Sequence, residues 1–414
     1  MVRNVGFKSQ EKVESALKKI FRNVKVIGVE EVSVYNSAGR VLAEDIVANF
    51  DLPTLDRSAM DGYAVKAEET FGASETNPIM LKIIGEVRVG ELPSVEVESG
   101  SAVKVFTGSV LPKGANAVVM LEFTKSFGDF VEIFRSVTPF KNVLRAGEDV
   151  RKGEVVLKRG EIIQPQDAGI LASLGFEKLK VYKKPVVAVI STGNELVEIW
   201  KKLEGAKIYN SNNPMLCNAI LSLGFSAKSL GITRDDPREI ENKLLEALSF
   251  DMLIFTGGTS VGAHDYVPEV VSKHGEILFH GVAMKPGMPT AFGIVRDKPV
   301  FMLPGSPSAC LLAFETFVVP ALYRMMNVRI VERKGALKKG VLQSRIPSEL
   351  GVRSYVRVYW DNGKVYPVRI SGSGILSSLV KANALLIIPE NLEGYEAGEE
   401  VEVMLIRDLT EVFE

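Results

Sequence analysis

Four short stretches in the middle of the chain combine hydroxyls, glycines and carboxylates. They are Ser191-Thr192-Gly193-Asn194-Glu195, Thr233-Arg234-Asp235-Asp236, Thr256-Gly257-Gly258-Thr259-Ser260 running on to Asp265, and Pro304-Gly305-Ser306-Pro307-Ser308-Ala309. Glycine lets the backbone turn and approach a ligand closely. Backbone N–H groups freed in such a turn, with Ser and Thr hydroxyls beside them, cradle an anion of the phosphate type. The carboxylates of Glu195, Asp235, Asp236 and Asp265 would repel a phosphate unless a hard divalent cation lay between them, and Mg2+ is the usual choice. Lys285, in Met284-Lys285-Pro286-Gly287, adds one basic group. Taken singly these acids have plainer readings, Asp235 as a helix cap for example. Only their convergence on one place points to chemistry.

That convergence follows from the elements that carry them. From residue 184 the sequence alternates strands with helices, the pattern of a doubly wound, mostly parallel sheet. Strands are expected over 185–190, 226–232, 252–255 and 299–303. Helices are expected over 213–223, closed by Gly224, over 239–249, from near Tyr266, and after Ala309. In an open parallel sheet the carboxyl ends of the strands share one rim, and ligands bind there. Each of the four stretches follows such a strand.

The flanks read differently. Val13, Ala16, Leu17, Ile20 and Phe21 share one face of a helix over 12–21. Strand-like alternation over 24–27 and 32–35 precedes a turn at 36–39. Residues 51–65 hold Asp51, Asp56, Arg57, Ser58 and Asp61 without a clear period, so an ordered, functional loop is expected. Alone, Asp61 could equally cap a turn. Short strands broken by glycines between 79 and 158 predict a small β-rich domain, with Thr107-Gly108 directly after one strand. A helix over 164–175 opens on Pro165 and closes on Gly175. Beyond about residue 329, alternation over 355–360, 385–388 and 401–404 predicts a C-terminal β-barrel or sandwich. The expected fold class is multidomain α/β plus β: a central doubly wound sheet, a β-rich inserted domain and a barrel-like C-terminal domain. The expected domains are 1–50 with 141–183 (a discontinuous linker and dimerisation domain), 51–140, 184–327 and 328–414.

At 414 residues the chain exceeds one ordinary core, and 46% hydrophobic with 24% charged residues is the composition of a soluble globular protein. A formal net charge of −1 gives no overall reason to bind nucleic acid or a membrane. Cys217 and Cys310 make neither a disulfide framework nor a metal spacing. The N-terminus lacks the apolar core of a signal peptide, and the longest apolar run, 309–322, is broken by Glu315 and Pro320 and is too short to span a bilayer. A cytoplasmic location is expected. Neither G-x-G-x-x-G nor G-x-x-x-x-G-K-S/T occurs, which disfavours hydride transfer and P-loop ATP hydrolysis. His264, His274 and His280 are the only histidines, and no Ser or Cys has a nucleophile-elbow context. His264 reads either as a base or as a group that only hydrogen-bonds a ligand. The residues alone reach a Mg2+-assisted enzyme acting on a phosphorylated small molecule.

Together the motifs resemble the molybdopterin molybdenumtransferases, the insertases of molybdenum cofactor biosynthesis, and the E domain of gephyrin. The resemblance rests on residues 56–65, Asp-Arg-Ser-Ala-Met-Asp-Gly-Tyr-Ala-Val, on 191–196, Ser-Thr-Gly-Asn-Glu-Leu, on 256–262, Thr-Gly-Gly-Thr-Ser-Val-Gly, on 284–287, Met-Lys-Pro-Gly, and on 303–307, Leu-Pro-Gly-Ser-Pro. It implies adenylylated molybdopterin as substrate, molybdate as second reactant, Mg2+ as cofactor and AMP as product; departures of this chain from the family pattern leave tungstate, close to molybdate in size and charge, as the alternative oxyanion. It further implies an elongated homodimer with a shared active-site cleft, and a transient contact with the adenylyltransferase that supplies the substrate. Carried over by motif, Asp61 and Thr107 come from the β-rich domain, and Glu195, Asp235 and Asp265 handle metal and phosphate. Lys285 holds an anion. Arg353 or Arg357, with Ser371 or Ser373, faces the oxyanion. The implied catalytic residues are Asp265, Glu195, Asp61 and Lys285. The expected substrate contacts are Thr107, Ser191, Thr192, Gly193, Thr256, Gly257, Gly258, Thr259, Ser260, Pro304, Gly305, Ser306, Arg353 and Ser373. Met288 stands where many members have a second Lys, Gly281 where some have Lys, and Ser306 and Ala309 replace Asn and Ser. Two rival readings are a molybdopterin adenylyltransferase, which needs only the central domain, and a non-catalytic scaffold.

Overall fold

The computed structural model describes residues 10–259, 266–328, 337–369 and 374–407. The chain divides into two compact units, one of residues 1–30 with 182–414 and one of residues 31–181.

The larger unit holds the α/β sheet. Strand β1 (Val186–Thr192) leads through α1 (Asn212–Ser222) to β2 (Ser226–Thr233), and through α2 (Pro237–Ala247) to β3 (Met252–Thr256). Then come α3 (Val267–His274), β4 (Glu276–His280), β5 (Ala291–Val295), β6 (Lys298–Leu303) and α4 (Pro307–Ala313). The strand order is β2-β1-β3-β6-β5-β4. The first four run parallel, and β5 and β4 continue the sheet antiparallel. The sheet is therefore mostly parallel, as expected. The antiparallel β5–β6 hairpin escaped the sequence reading because its two-residue turn is Arg296-Asp297, both at positive φ. Such turns normally announce themselves with Asn-Gly or Asp-Gly.

Burial on both faces explains the unbroken apolar runs in β1 and β3. Ile240, Leu244 and Ala247 of α2 and Val267, Val270 and Val271 of α3 pack on Ala188, Ile190, Leu253, Phe255, Val300 and Met302. The alternate residues Val187, Val189 and Ile254 face the other way and are equally buried, and there α1 buries Leu216 and Ile220. Asp236 caps α2 by accepting from the N–H groups of Arg238 and Glu239, with Pro237 at the first position. Helix α4 runs on through a π turn, Phe314–Val318, into Val319–Met325. Pro320 has no N–H to give, and the wider turn directly before it absorbs that gap. Among the described residues this 307–325 run is the one helix apolar and long enough to cross a membrane. Here it is a core helix, with Leu312, Phe314, Phe317 and Leu322 buried.

The same unit carries the C-terminal barrel. Strand Arg353–Asp361 pairs with Lys364–Arg369 on one side and Ala384–Ile388 on the other, and Leu337–Leu342 with Glu400–Leu405 close the ring. Val356, Val358, Val365, Leu386 and Val403 fill it. The two-residue strand Met284–Lys285 adds alongside Arg353–Asp361.

The smaller unit is built on a six-stranded sheet in the order 117–120, 62–65, 101–105, 79–87, 130–133 and 124–127. Its helix Pro165–Ser173 opens on a capping box between Gln164 and Asp167. The stretch 51–65 is not all loop: Arg57–Ser58 and Gly62–Val65 are strands. Gly62–Val65 is paired on both sides and fully buried, a short central strand hidden in the sequence by its polar neighbours. In the larger unit, residues 24–27 form no strand. Val24 donates its N–H back to Ile20 and ends the helix Val13–Asn23, and Ile27 donates to Met325. In the smaller unit Val34–Asn36 is a 3-10 turn where strand alternation was expected.

Candidate functional site

From β1 the chain passes to β2 on one side and then returns to β3 on the other. Connections on opposite faces part at the carboxyl ends of β1 and β3, leaving the crevice where α/β sheets bind ligands. A cavity of about 340 Å3 opens there. Its walls are Thr192, Gly193 and Glu195 after β1, Asp235 after β2, Gly257, Gly258 and Thr259 after β3, Pro304, Gly305 and Ser306 after β6, and Pro289. All four stretches singled out from the sequence therefore meet at one cavity.

Glycine is required at two points. Gly257 (φ +85°) and Gly258 (φ +61°) adopt left-handed backbone, and a Cβ there would lie 2.4 Å from the Thr192 carbonyl oxygen and 2.6 Å from its Oγ1 respectively. The wall is thus formed by main chain lying flat on Thr192. Gly257 donates its N–H to the Leu303 carbonyl (3.0 Å), tying the β3 loop to β6.

The two acids of Asp235-Asp236 divide the work. Asp236 takes the helix cap, whereas Asp235 accepts from the Asn194 N–H (3.0 Å), and Asn194 Oδ1 accepts from the Asp235 N–H (3.3 Å). This reciprocal pair joins the β1 and β2 loops. Glu195 folds its carboxylate back over Gly193 and so reaches the cavity wall. Two carboxylates among uncharged donors suit Mg2+, which binds through one or two carboxylates, water and a ligand's phosphate. Among the described residues no three Asp, Glu, His or Cys side chains form a closed cage.

Ser191 and Thr256 do not line the cavity. They are buried and hydrogen-bonded inward: Thr256 donates to Ser191 (3.2 Å), and Ser191 to Asn210 Oδ1 (2.9 Å). Thr192 and Thr233 differ, since their buried hydroxyls have no partner among the described residues, nor has Asn212 Oδ1. The Asn212 amide N–H2 donates to the Gly305 carbonyl (2.7 Å). Asn210, Asn212 and Pro289 were not singled out from the sequence. The cluster Asn210-Ser211-Asn212-Asn213 was the available signal, since such residues favour helix starts and here open α1.

The basic residues are not open. Lys285 pairs with Glu349 at 2.6 Å. Arg353 pairs with Glu14, and with Glu390 at 3.0 Å. Arg357 is buried and donates to Ser308 Oγ (2.9 Å) at the start of α4. In the smaller unit Asp61 and Thr107 do meet: Asp61 Oδ1 accepts from the Thr107 N–H (2.7 Å) and Oγ1 (2.9 Å). The backbone N–H first, and then the hydroxyl, hold the exposed Asp61 carboxyl below its ordinary range. Asp265, Ser260, His264, Ser371 and Ser373 lie outside the described residues.

Comparison with known proteins covers nearly the whole chain. Three family profiles match in succession: the MoeA N-terminal region (domain I and II) over residues 11–175, a probable molybdopterin binding domain over 188–324, and the MoeA C-terminal region (domain IV) over 339–406. The chain is 46% identical over 412 residues to a putative molybdopterin biosynthesis protein of Methanocaldococcus jannaschii, covering 97% of this chain and 98% of that one. It is 36% identical over 406 residues to the molybdopterin molybdenumtransferase of Bacillus subtilis, covering 96% and 94%. Among solved structures it is similar to a molybdopterin biosynthesis moeA protein of Pyrococcus horikoshii, with a TM-score of 0.82, 40% identity, and coverage of 96% and 100%.

Proposed function

This chain belongs to the molybdopterin molybdenumtransferase family of molybdenum cofactor biosynthesis, and we propose that it inserts molybdate or tungstate into adenylylated molybdopterin with release of AMP. The observation that carries this reading is the cavity at the switch point of the sheet, lined by the Gly257-Gly258 main chain and two carboxylates. The turn at Gly257-Gly258-Thr259 and the hydroxyl of Thr192 bind and orient the substrate phosphate, with Ser191 and Thr256 bracing the strands behind them. Glu195 and Asp235, with Asp265, hold Mg2+. When bound, Mg2+ supplies charge neutralisation at the phosphates and polarises the bond that is cleaved. Pro304, Gly305 and Ser306 line the cavity beside the Gly257 turn and limit water.

Lys285 and Arg353 exchange the carboxylates they now pair with for the oxyanion, with Ser373 as a further contact; Asp61 is assigned a catalytic and Thr107 a substrate-binding role. The active form is a homodimer whose subunits share the cleft, supplied with substrate by transient contact with the adenylyltransferase. We divide the chain into domains 1–50 with 141–183, 51–140, 184–327 and 328–414. Separate apolar clusters in the 62–133 sheet, the α/β sheet and the barrel support that division. We place the enzyme in the cytoplasm, supported by the interior position of its one long apolar helix among the described residues.

The test is an AMP-release assay with adenylylated molybdopterin, Mg2+ and either molybdate or tungstate. Release stimulated by one oxyanion, and reduced at least about a hundredfold in Glu195→Gln, is expected when a group that holds the metal is lost. AMP transfer from ATP to molybdopterin, with no oxyanion-dependent release, would move the activity to the adenylyltransferase class.

A further inference from the structure

The cavity-lining loop after β3 lies over the ends of other strands, and one side chain fastens its far edge. Thr259 is buried, and its hydroxyl is 3.4 Å from the Leu303 carbonyl at the end of neighbouring β6. Its own carbonyl accepts a hydrogen bond from Nε2 of His280, at 2.8 Å. His280 ends β4, three strands away from β3 in the sheet. At about 4.8 Å per strand spacing that is roughly 14 Å, beyond the reach of any backbone ladder. The loop after β3 runs across most of that gap, and the imidazole of His280 on the edge strand closes the remainder.

The base of that side chain is itself fixed. His280 pairs with Ala291 in β5, and Gly281 donates its N–H to the Thr290 carbonyl, next to the cavity-lining Pro289. The ring thus joins two walls of the cavity, Thr259 on one and the segment beside Pro289 on the other. A carbonyl oxygen only accepts, so Nε2 carries the hydrogen of this bond.

We propose that His280 is a positioning residue for the substrate site, holding the Thr259 carbonyl and through it the main chain at Gly257-Gly258-Thr259 against the cavity. Without this donor the Thr259 carbonyl has no other hydrogen-bond donor among the described residues, and the loop relaxes to find another partner. The inference rests on reading the cavity as the site for the substrate phosphate. It assigns His280 no contact with substrate.

The experiment compares wild type with His280→Ala and His280→Gln as full-length proteins, since the Gln amide offers an N–H donor at similar reach. Two readouts are taken: KM and kcat for AMP release, and amide hydrogen exchange of the peptide containing residues 257–259 without ligand. In His280→Ala, KM is expected to rise about tenfold, the size of one lost buried hydrogen bond, with kcat changed less. Exchange at 257–259 is expected to quicken, and His280→Gln is expected to recover both properties to within about threefold of wild type. Unchanged KM and exchange in His280→Ala, or a Gln variant no better than Ala, overturns the proposal. Should the wild type itself release no AMP, the functional reading fails, and exchange with its rescue by Gln still decides the role of His280.

Discussion

Two groups of residues in the larger unit hold the donors proposed for an anionic ligand, and they stand in opposite states. At the rim of the α/β sheet the donors are uncharged and incomplete: the hydroxyls of Thr192 and Thr233 are buried without a partner among the described residues. At the barrel the donors are charged and already engaged, Lys285 by Glu349 and Arg353 by Glu14 and Glu390. A buried polar group left unsatisfied costs about 1–3 kcal/mol, which a fold retains when a ligand later satisfies it. An exposed ion pair such as Lys285–Glu349 contributes at most about 1 kcal/mol, so its carboxylate can be exchanged for a ligand anion at little cost. On the proposed reading the rim is preorganised and Lys285 is exchangeable, whereas Arg353, its side chain 23% exposed between two carboxylates, is held more firmly.

The comparison breaks most severely if the rim tolerates a side chain where its backbone lies flat. Gly257→Ala places a Cβ 2.4 Å from the Thr192 carbonyl at φ +85°. Activity is expected to fall at least about a hundredfold, from misplacement of the loop by an ångström or so. A midpoint in urea melts should show about 1–3 kcal/mol lost to backbone strain.

A sharper test separates binding from stability. Thr192→Val removes a buried hydroxyl that has no partner among the described residues, so unfolding free energy should stay level or rise slightly, while KM for adenylylated molybdopterin rises about tenfold. A loss of stability with KM unchanged would make Thr192 a structural residue. On the barrel side the sign reverses. Glu349→Gln frees Lys285, and KM for molybdate or tungstate should fall about two- to fivefold, the range set by an exposed pair.

The smallest effect concerns pH. Asp61 has a folded-state pKa below its unfolded value, so its contribution to stability is full above the ordinary carboxylate range and is lost as pH falls through the depressed value. Asp61→Asn should therefore lower stability slightly near neutrality and leave it unchanged at acid pH, so that the acid limb of the profile flattens.

The rim was legible in the sequence because every strand of a parallel sheet ends in a loop at the same edge, so order along the chain already implied convergence. Gly257, Gly258 and Thr192 could be assigned from residue type and spacing alone. Pro237 marks Asp236 rather than Asp235 as the cap, a local signal the reading of Asp235 as a helix cap passed over; Asp236 caps α2 and Asp235 lines the cavity. What could not be read was pairing. Lys285 and Glu349 are 64 residues apart and meet only because Met284–Lys285 joins the barrel. The antiparallel hairpin was missed for want of a glycine in its turn, and with it the position of His280. Gly62–Val65 was missed because four buried residues among acids carry no period.

The most direct measurement is a crystal structure of this protein with Mg2+ and adenylylated molybdopterin bound. The account predicts the substrate phosphate at the β1–β3 crevice, within hydrogen-bonding distance of Thr192 Oγ1 and the main chain of Gly257-Gly258-Thr259, with the metal on Glu195 and Asp235. A phosphate seated elsewhere, with the Thr192 hydroxyl still unpartnered and that crevice holding only water, would contradict it.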